Sequence, residues 1–162
     1  MDCFAAGSFF SGAYFWGNLN VIGILLITHN GLGESLLDCT RHVMGKAPSN
    51  LKTLSVQPDD DPQRKEEEGR ALIARLDTGE GVLLLVDVFG ATPCNIARRL
   101  YQPGRVEGVS GVNLPMLLSV VCYSGKPLAE IVGKALKSGR ECITLMDSDV
   151  KGCNAATGCC DN

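Results

Sequence analysis

A buried strand that runs directly into a helix constrains this chain more than any other stretch. Residues 21–27 read VIGILLI and carry no polar side chain, which predicts a strand covered on both faces. Residues 28–31 (THNG) interrupt the run, and beyond Gly33 apolar residues recur at helical spacing. His29 therefore lies where the chain leaves a buried strand and enters a helix. In open α/β sheets this edge is where ligands bind.

The same alternation of strand and helix continues along the chain. Further strands are predicted at Leu51–Val56, Val82–Val86 and Val106–Val112. Helices are predicted after the first strand, at Arg64–Leu76, around Ile96–Tyr101, after Asn113–Pro115, and at Leu128–Lys137, with Gly139 ending the last one. Repeated strand–helix units imply right-handed crossovers and a parallel sheet. The sequence thus predicts an α/β fold, an open and mostly parallel sheet with helices on both faces.

Charged residues within the strands predict their order in the sheet. The first and third strands are the most apolar and should be central, whereas Lys52 and Glu107 indicate that the second and fourth strands lie at the flanks. The predicted order is 2-1-3-4, with its switch point between the first and third strands. His29 ends one of these strands and Asp87 follows the other. We expect them to face each other across the crevice.

Composition narrows the class of protein. The 162 residues are enough for one domain with a sizeable core. A balance of 15 Lys+Arg against 18 Asp+Glu, with no basic patch, argues against nucleic-acid binding. Residues 1–20 are aromatic and glycine-rich, without the basic start of a signal peptide and too broken for a membrane span. They are interpreted as an extension outside the fold, and residues 147–162 as a flexible tail.

Eight cysteines form no CxxC pair and no paired zinc pattern. Free thiols in a cytosolic protein are favoured over disulfides. A metal site in the tail, around Cys153, Cys159 and Cys160, lacks a fourth ligand. No metal ion and no cofactor is therefore expected.

A histidine and an aspartate at neighbouring strand ends have a specific chemistry. A carboxylate that accepts a proton from one ring nitrogen fixes the tautomer and leaves the other nitrogen free as a nucleophile. Helix amino ends are predicted beside it, at residues 31–34 and 92–94, where Thr92 would be the N-cap before a proline. Unpaired N–H groups at such ends favour a phosphate. The combination suggests phosphoryl transfer through a phosphohistidine.

Three other interpretations compete. The Gly-x-Gly at residues 31–33, with Asp59 downstream, could indicate a dinucleotide site, but a third glycine is missing. Asp87 could be the phosphoacceptor of a response-regulator receiver, which needs an acidic pair where Thr28 and His29 stand. Asp87 could also be only a helix cap, which would leave His29 unexplained.

Three segments, ILLITHNGLGESLL, GVLLLVDVFGATPCNIA and GVSGVNLPMLL, resemble the signature segments of the mannose-family EIIA domain of the bacterial phosphoenolpyruvate-dependent sugar phosphotransferase system. The resemblance covers about residues 21–146. It implies that His29 is the phosphorylated histidine, Asp87 its orienting aspartate and Thr92 the loop hydroxyl, usually a serine. The family's second loop glycine is Ala91 here, and its usual tryptophan is Phe89. The residues expected to bind phosphate are Thr92, Gly90, Ala91, Asn30 and Gly31.

The resemblance also implies partners. A cytoplasmic phosphocarrier would accept phosphate from HPr and pass it to an EIIB protein, reaching the membrane only through a permease complex. It further implies a homodimer, in which residues 142–146 form a C-terminal strand that pairs antiparallel in the neighbouring subunit. A regulatory protein without sugar transport and a phosphodonor for a dihydroxyacetone kinase remain alternatives. His42 lies off the apolar stripe of its helix and is interpreted as an exposed residue.

Overall fold

The structure, a computed structural model, describes residues 20–146 and has the predicted alternation of strands and helices. The elements in chain order are β1 (Gly23–His29), α1 (Leu32–Met44), β2 (Leu51–Val56), α2 (Pro62–Leu76), β3 (Val82–Val86), α3 (Thr92–Leu100), β4 (Val106–Ser110), α4 (Leu114–Cys122) and α5 (Leu128–Glu141). Within residues 20–146 all strand pairs are parallel and the order is β2-β1-β3-β4. The predicted α/β class and strand order are confirmed.

The central strand β1 is apolar throughout because both of its faces are covered. Ile24 and Leu26 pack into one apolar cluster with α4 and α5, and side chains of α1 lie against it. Leu25 and Ile27 point the opposite way, into a second cluster with α2 and α3. Side chains alternate along a strand, so a strand between two layers of helices needs apolar residues at every position.

The flanking strands carry the charges that predicted their place. Lys52 of β2 is exposed, and Glu107 of β4 is half-buried and accepts a hydrogen bond from the Gly104 N–H at 2.8 Å. Within residues 20–146, β2 pairs only with β1 and β4 only with β3. Each flanking strand thus has an open edge in the described part of the chain.

Three of the boundaries that differ from the expected ones have a local physical reason. β1 extends to His29, because Thr28 and His29 continue the pairing with the end of β2. α2 begins at Pro62, two residues early, because the Asp61 side chain accepts the Gln63 N–H at 2.9 Å. β4 stops at Ser110 rather than Val112, since the next residue is Gly111 at φ +83°.

Gly139 was expected to end α5, but the helix continues to Glu141. The glycine is buried where α5 meets α4: a Cβ there would lie 2.5 Å from the Met116 Cε. Its carbonyl oxygen also accepts a hydrogen bond from the Asn113 amide at 2.9 Å. Gly139 is therefore a close-packing residue of the α4–α5 contact and not a helix terminator.

Residues 142–146 form no strand in the described chain. Ile143, Leu145 and Met146 are 77%, 81% and 105% exposed. An extended segment needs a neighbouring strand to satisfy its ladder of hydrogen bonds, and within residues 20–146 the segment pairs with no strand. The swapped strand stays a prediction.

The interpretations of residues 1–19 and 147–162 lie outside the described residues. Cys39, Cys94, Cys122 and Cys142, which lie within the described part, form no disulfide with one another.

Gly23 provides a test of the packing at the start of β1. A Cβ on Gly23 would lie 2.6 Å from the Leu76 Cβ and 2.9 Å from the Leu76 carbonyl oxygen, which cannot move without shifting α2. We expect Gly23→Ala to lower the free energy of unfolding by about 1–3 kcal/mol in urea denaturation. Gly133→Ala, in open space on α5, is the control and should raise it by about 0.5–1 kcal/mol. Equal effects of the two substitutions would contradict the packing argument.

Candidate functional site

The ends of the two central strands bring His29 and Asp87 into contact. His29 is the last residue of β1 and Asp87 directly follows β3. The His29 Nδ1 lies 2.8 Å from the Asp87 Oδ2. The histidine side chain is 43% exposed, whereas the aspartate side chain is only 11% exposed. The predicted pair is therefore present, with the carboxylate beneath and the ring toward solvent.

Asp87 holds the backbone of His29 as well as its ring. The same Oδ2 accepts the His29 backbone N–H at 2.8 Å, and Oδ1 accepts the Val88 N–H at 2.8 Å. An ionised carboxylate can only accept hydrogen bonds, so the ring donates from a protonated Nδ1. The lone pair of the neutral imidazole is then on Nε2. This arrangement leaves the Nε2 of a half-exposed ring available to act as a nucleophile.

The same contacts keep Asp87 ionised. Burial raises the pKa of its carboxyl group, but hydrogen bonds from the His29 N–H, the His29 ring and the Val88 N–H outweigh that effect. The pKa of Asp87 therefore lies below its ordinary value of 3.8. At neutral pH the carboxylate is charged and available to the ring.

The turn from β1 into α1 carries the predicted residues Asn30 and Gly31. Asn30 has a left-handed backbone, with φ +46°. Gly31 is the N-cap of α1 and supplies no side-chain hydrogen bond to the helix. Thr28 accepts the Gly33 N–H at 2.9 Å from below. A Cβ at Gly33 would lie 3.0 Å from the Thr28 hydroxyl oxygen, so this approach favours glycine.

The loop after β3 carries Gly90, Ala91 and Thr92 at the same edge of the sheet. Gly90 has φ +87°, a conformation that suits glycine. Thr92 was expected to be the N-cap of α3, which is wrong: the cap is Ala91, with extended backbone, and Thr92 is the first helical residue. Since Pro93 tolerates either of the first two helical positions, the proline did not fix the cap. Thr92 is exposed, and its hydroxyl bonds to no group within residues 20–146.

A protein-family model described as "PTS system fructose IIA component" matches residues 23–136. The chain belongs to this family.

The curated relatives are components of the same system. The "PTS system mannose-specific EIIAB component" of Escherichia coli (strain K12) is 33% identical over 128 residues, which are 77% of this chain and 39% of that protein. The "PTS system fructose-specific EIIA component" of Bacillus subtilis (strain 168) is 28% identical over 102 residues, 62% of this chain and 69% of that one. The chain thus spans about two-fifths of the length of the mannose-specific relatives.

Solved structures of IIA proteins share the fold. An EIIA component from Streptococcus agalactiae superposes with a TM-score of 0.68 at 20% identity, covering 76% of this chain and 95% of that one. The IIA protein associated with the fucose utilization operon of Streptococcus pneumoniae superposes with a TM-score of 0.63 at 26% identity, covering 73% and 90%. The family model and these relatives all describe IIA components of the sugar phosphotransferase system. These relatives do not favour the purely regulatory alternative.

Two residues near the site were missed from the sequence. Ser55 at the end of β2 donates its hydroxyl to the Asn30 carbonyl oxygen at 2.6 Å, and Thr28 holds the first turn of α1. Their signal is polarity at the carboxyl end of apolar strands, the same signal that found Asp87. His42 is exposed on α1, as expected. No helix within residues 20–146 is long and apolar enough to cross a membrane.

The low pKa of Asp87 makes a prediction for acid stability. The native hydrogen bonds contribute fully while the carboxylate is ionised in both states, above the ordinary pKa of 3.8 that it has in the unfolded chain. As the pH falls through the lower folded pKa, the carboxylate is protonated and that contribution is lost. Asp87→Asn should therefore flatten the dependence of the free energy of unfolding on pH below about pH 5.

The control for this experiment is Asp59→Asn, which removes the same charge from the exposed loop between β2 and α2. Urea titrations at a series of pH values measure both variants. The role of these hydrogen bonds would be contradicted if the free energy of unfolding changed with pH equally in the wild type, in Asp87→Asn and in Asp59→Asn.

Proposed function

We propose that His29 is the phosphate carrier of this IIA domain, with residues 21–146 as its limits. The observation that supports this proposal is the His29–Asp87 contact, which engages Nδ1 and leaves Nε2 at an exposed crevice. The donor is the phosphohistidine of HPr and the acceptor an EIIB component, in keeping with relatives that are EIIA and EIIAB components. Both steps would take place in the cytoplasm.

The proposed step is a displacement at phosphorus. The Nε2 lone pair of His29 attacks the phosphoryl group, the P–N bond to the donor imidazole breaks, and that imidazole leaves with the bonding electron pair. The Nδ1 proton stays on His29 and in its hydrogen bond to Asp87, whose charge stabilises the cationic character of the phosphorylated ring. Transfer to EIIB reverses these roles. No additional reactant is required.

The loops around the pair supply donors for the phosphoryl oxygens. Asn30 and Gly31 would act through backbone N–H groups at the start of α1, and Gly90 and Ala91 through those before α3. Thr92 would add its hydroxyl. Support comes from their position at the carboxyl ends of β1 and β3 and from N-cap residues that make no side-chain cap. Such donors stabilise the charge of a transferring phosphoryl group.

The first test is replacement of the carrier. Incubation with phosphoenolpyruvate, enzyme I and HPr should add one phosphate that is labile in acid and stable in base, and His29→Ala should abolish it. His42→Ala is the matched control, because it removes the other histidine of the chain from an exposed position on α1. Full labelling of His29→Ala, or loss of labelling in His42→Ala alone, would refute the assignment.

The second test separates the orienting carboxylate from a helix cap. Asp87→Asn preserves the shape of the side chain and removes its charge, so phosphorylation should slow by roughly 10²- to 10⁴-fold. Folding should be retained at neutral pH, checked by circular dichroism. Quench-flow labelling with phospho-HPr measures the rate. Wild-type transfer in this variant would show that the carboxylate only supports the backbone.

We further propose that the protein is a homodimer held by residues 142–146. The Gly139–Asn113 hydrogen bond places the end of α5 beside the loop after β4, so these residues leave the helix near the open edge of that strand. A cavity of about 390 Å³ lies between α3 and the ends of β3 and β4. Its lining includes Phe89, Ala97, Tyr101 and Val109. Pairing would cover both this surface and the exposed Ile143 and Leu145.

Truncation tests the dimer. Ending the chain after Cys142 keeps α5 intact and removes the proposed strand, and it should give monomer or aggregate in sedimentation velocity. Ending it after Met146 keeps the strand and should leave the dimer unchanged. A stable dimer of the shorter chain would show that another surface joins the subunits.

A further inference from the structure

The residue after His29 is held in an unusual conformation by the end of β2. Asn30 is the one non-glycine residue within 20–146 with a positive φ, at +46°. Its N–H donates to the Val56 carbonyl oxygen at 3.1 Å, and its carbonyl oxygen accepts from the Ser55 hydroxyl at 2.6 Å. Both backbone groups of Asn30 are therefore fixed from the β2 side.

The direction of the Ser55 hydroxyl is itself set by a neighbour. The Gln57 side-chain amide donates to the Ser55 Oγ at 3.0 Å, so one lone pair of that oxygen is occupied. The hydroxyl proton is thereby left to the Asn30 carbonyl oxygen. In the described part of the chain this oxygen accepts from no other donor. The orientation of the Asn30–Gly31 peptide thus depends on Ser55.

The planar peptide carries this orientation to the next donor. Across a trans peptide bond the carbonyl and the following N–H point in opposite directions. Since the Asn30 carbonyl points toward β2, the Gly31 N–H points away from β2. In the strand order β2-β1-β3, the strand on that other side of β1 is β3, which Asp87 follows. Within residues 20–146 the Gly31 N–H donates to no group. It is an open donor on the side of the crevice.

We propose that Ser55 is a positioning residue that aims the Gly31 N–H at the phosphoryl group on His29. The inference rests on the proposed phosphocarrier function and assigns it a residue on a third strand. The hydroxyl touches neither the ring nor the phosphate; it acts through the peptide it orients. A fixed donor stabilises developing charge without reorganising during the reaction, whereas a free peptide must first rotate.

The kinetic test compares three variants. Ser55→Ala should lower the limiting rate of transfer from phospho-HPr roughly tenfold, below the 10²–10³ cost of removing an oxyanion donor outright. The KM for phospho-HPr should stay within about twofold, since the docking surface is unchanged. Ser55→Thr keeps the hydroxyl and should restore the rate. The proposal would be overturned if Ser55→Ala weakened the binding of phospho-HPr, seen as a changed KM, and left the limiting rate unchanged.

Ser35→Ala is the matched control. Its hydroxyl also donates to a backbone carbonyl, that of Gly31 at 2.9 Å. That carbonyl already accepts the Ser35 N–H of α1 at 3.1 Å, so its direction does not depend on the hydroxyl. Ser35→Ala should transfer phosphate at the wild-type rate. Equal slowing of both alanine variants would indicate general loosening of the turn and overturn the proposal.

A second readout does not require phosphoryl transfer. In ¹H–¹⁵N spectra, titration with inorganic phosphate should move the Gly31 amide proton downfield in the wild type and clearly less in Ser55→Ala. If wild-type His29 takes no phosphate from HPr, the proposed function fails, and this titration alone decides the positioning role. A Gly31 shift that is the same in both proteins would overturn it, as would a wild-type transfer rate in Ser55→Ala.

Discussion

A single carboxylate oxygen holds both the backbone and the ring of His29. The Asp87 Oδ2 accepts the backbone N–H and faces Nδ1, each at 2.8 Å. This double contact ties the end of β1 to the end of β3, so the ring cannot rotate without losing a charge-assisted hydrogen bond. It also keeps the pKa of Asp87 low despite burial. The orientation of the His29 ring and the charge beside it therefore come from one interaction.

That interaction depends on the sheet beneath it. β1 and β3 are adjacent and paired up to Ile27 and Val86, and Asp87 lies one residue and His29 two residues beyond this last pair. Both strands are buried on both faces, which allows little movement of their ends. The switch point of the 2-1-3-4 order opens a crevice there, because the connections leave in opposite directions. A rigid core thus fixes the distance between the two side chains.

The sequence was sufficient for this part of the site and insufficient for its surroundings. Continuous apolar runs ending in His29 and Asp87 predicted the strands, their order and the pair, since burial on both faces leaves a strong pattern. The wrong cap at Thr92 and the wrong helix end at Gly139 have a common cause, since proline and glycine each occur in more than one structural context. Whether Gly139 ends a helix or admits Met116 is decided by packing between helices, which local sequence does not record.

The helices beside the crevice are capped differently from those that follow the outer strands. Four helices follow a strand, and the two from the outer strands have capping side chains, Asp61 for α2 and Asn113 for α4. The two from the central strands have Gly31 and Ala91 as N-caps, which offer no side-chain acceptor; in α1 the Gly33 N–H is accepted instead by the Thr28 hydroxyl. An alanine in place of a capping residue costs about 0.5–2 kcal/mol of stability. The helix N–H groups that no side chain accepts are free to bind an anion. The stability that a capping side chain would add is therefore absent at the two helix ends where a phosphoryl group would be bound.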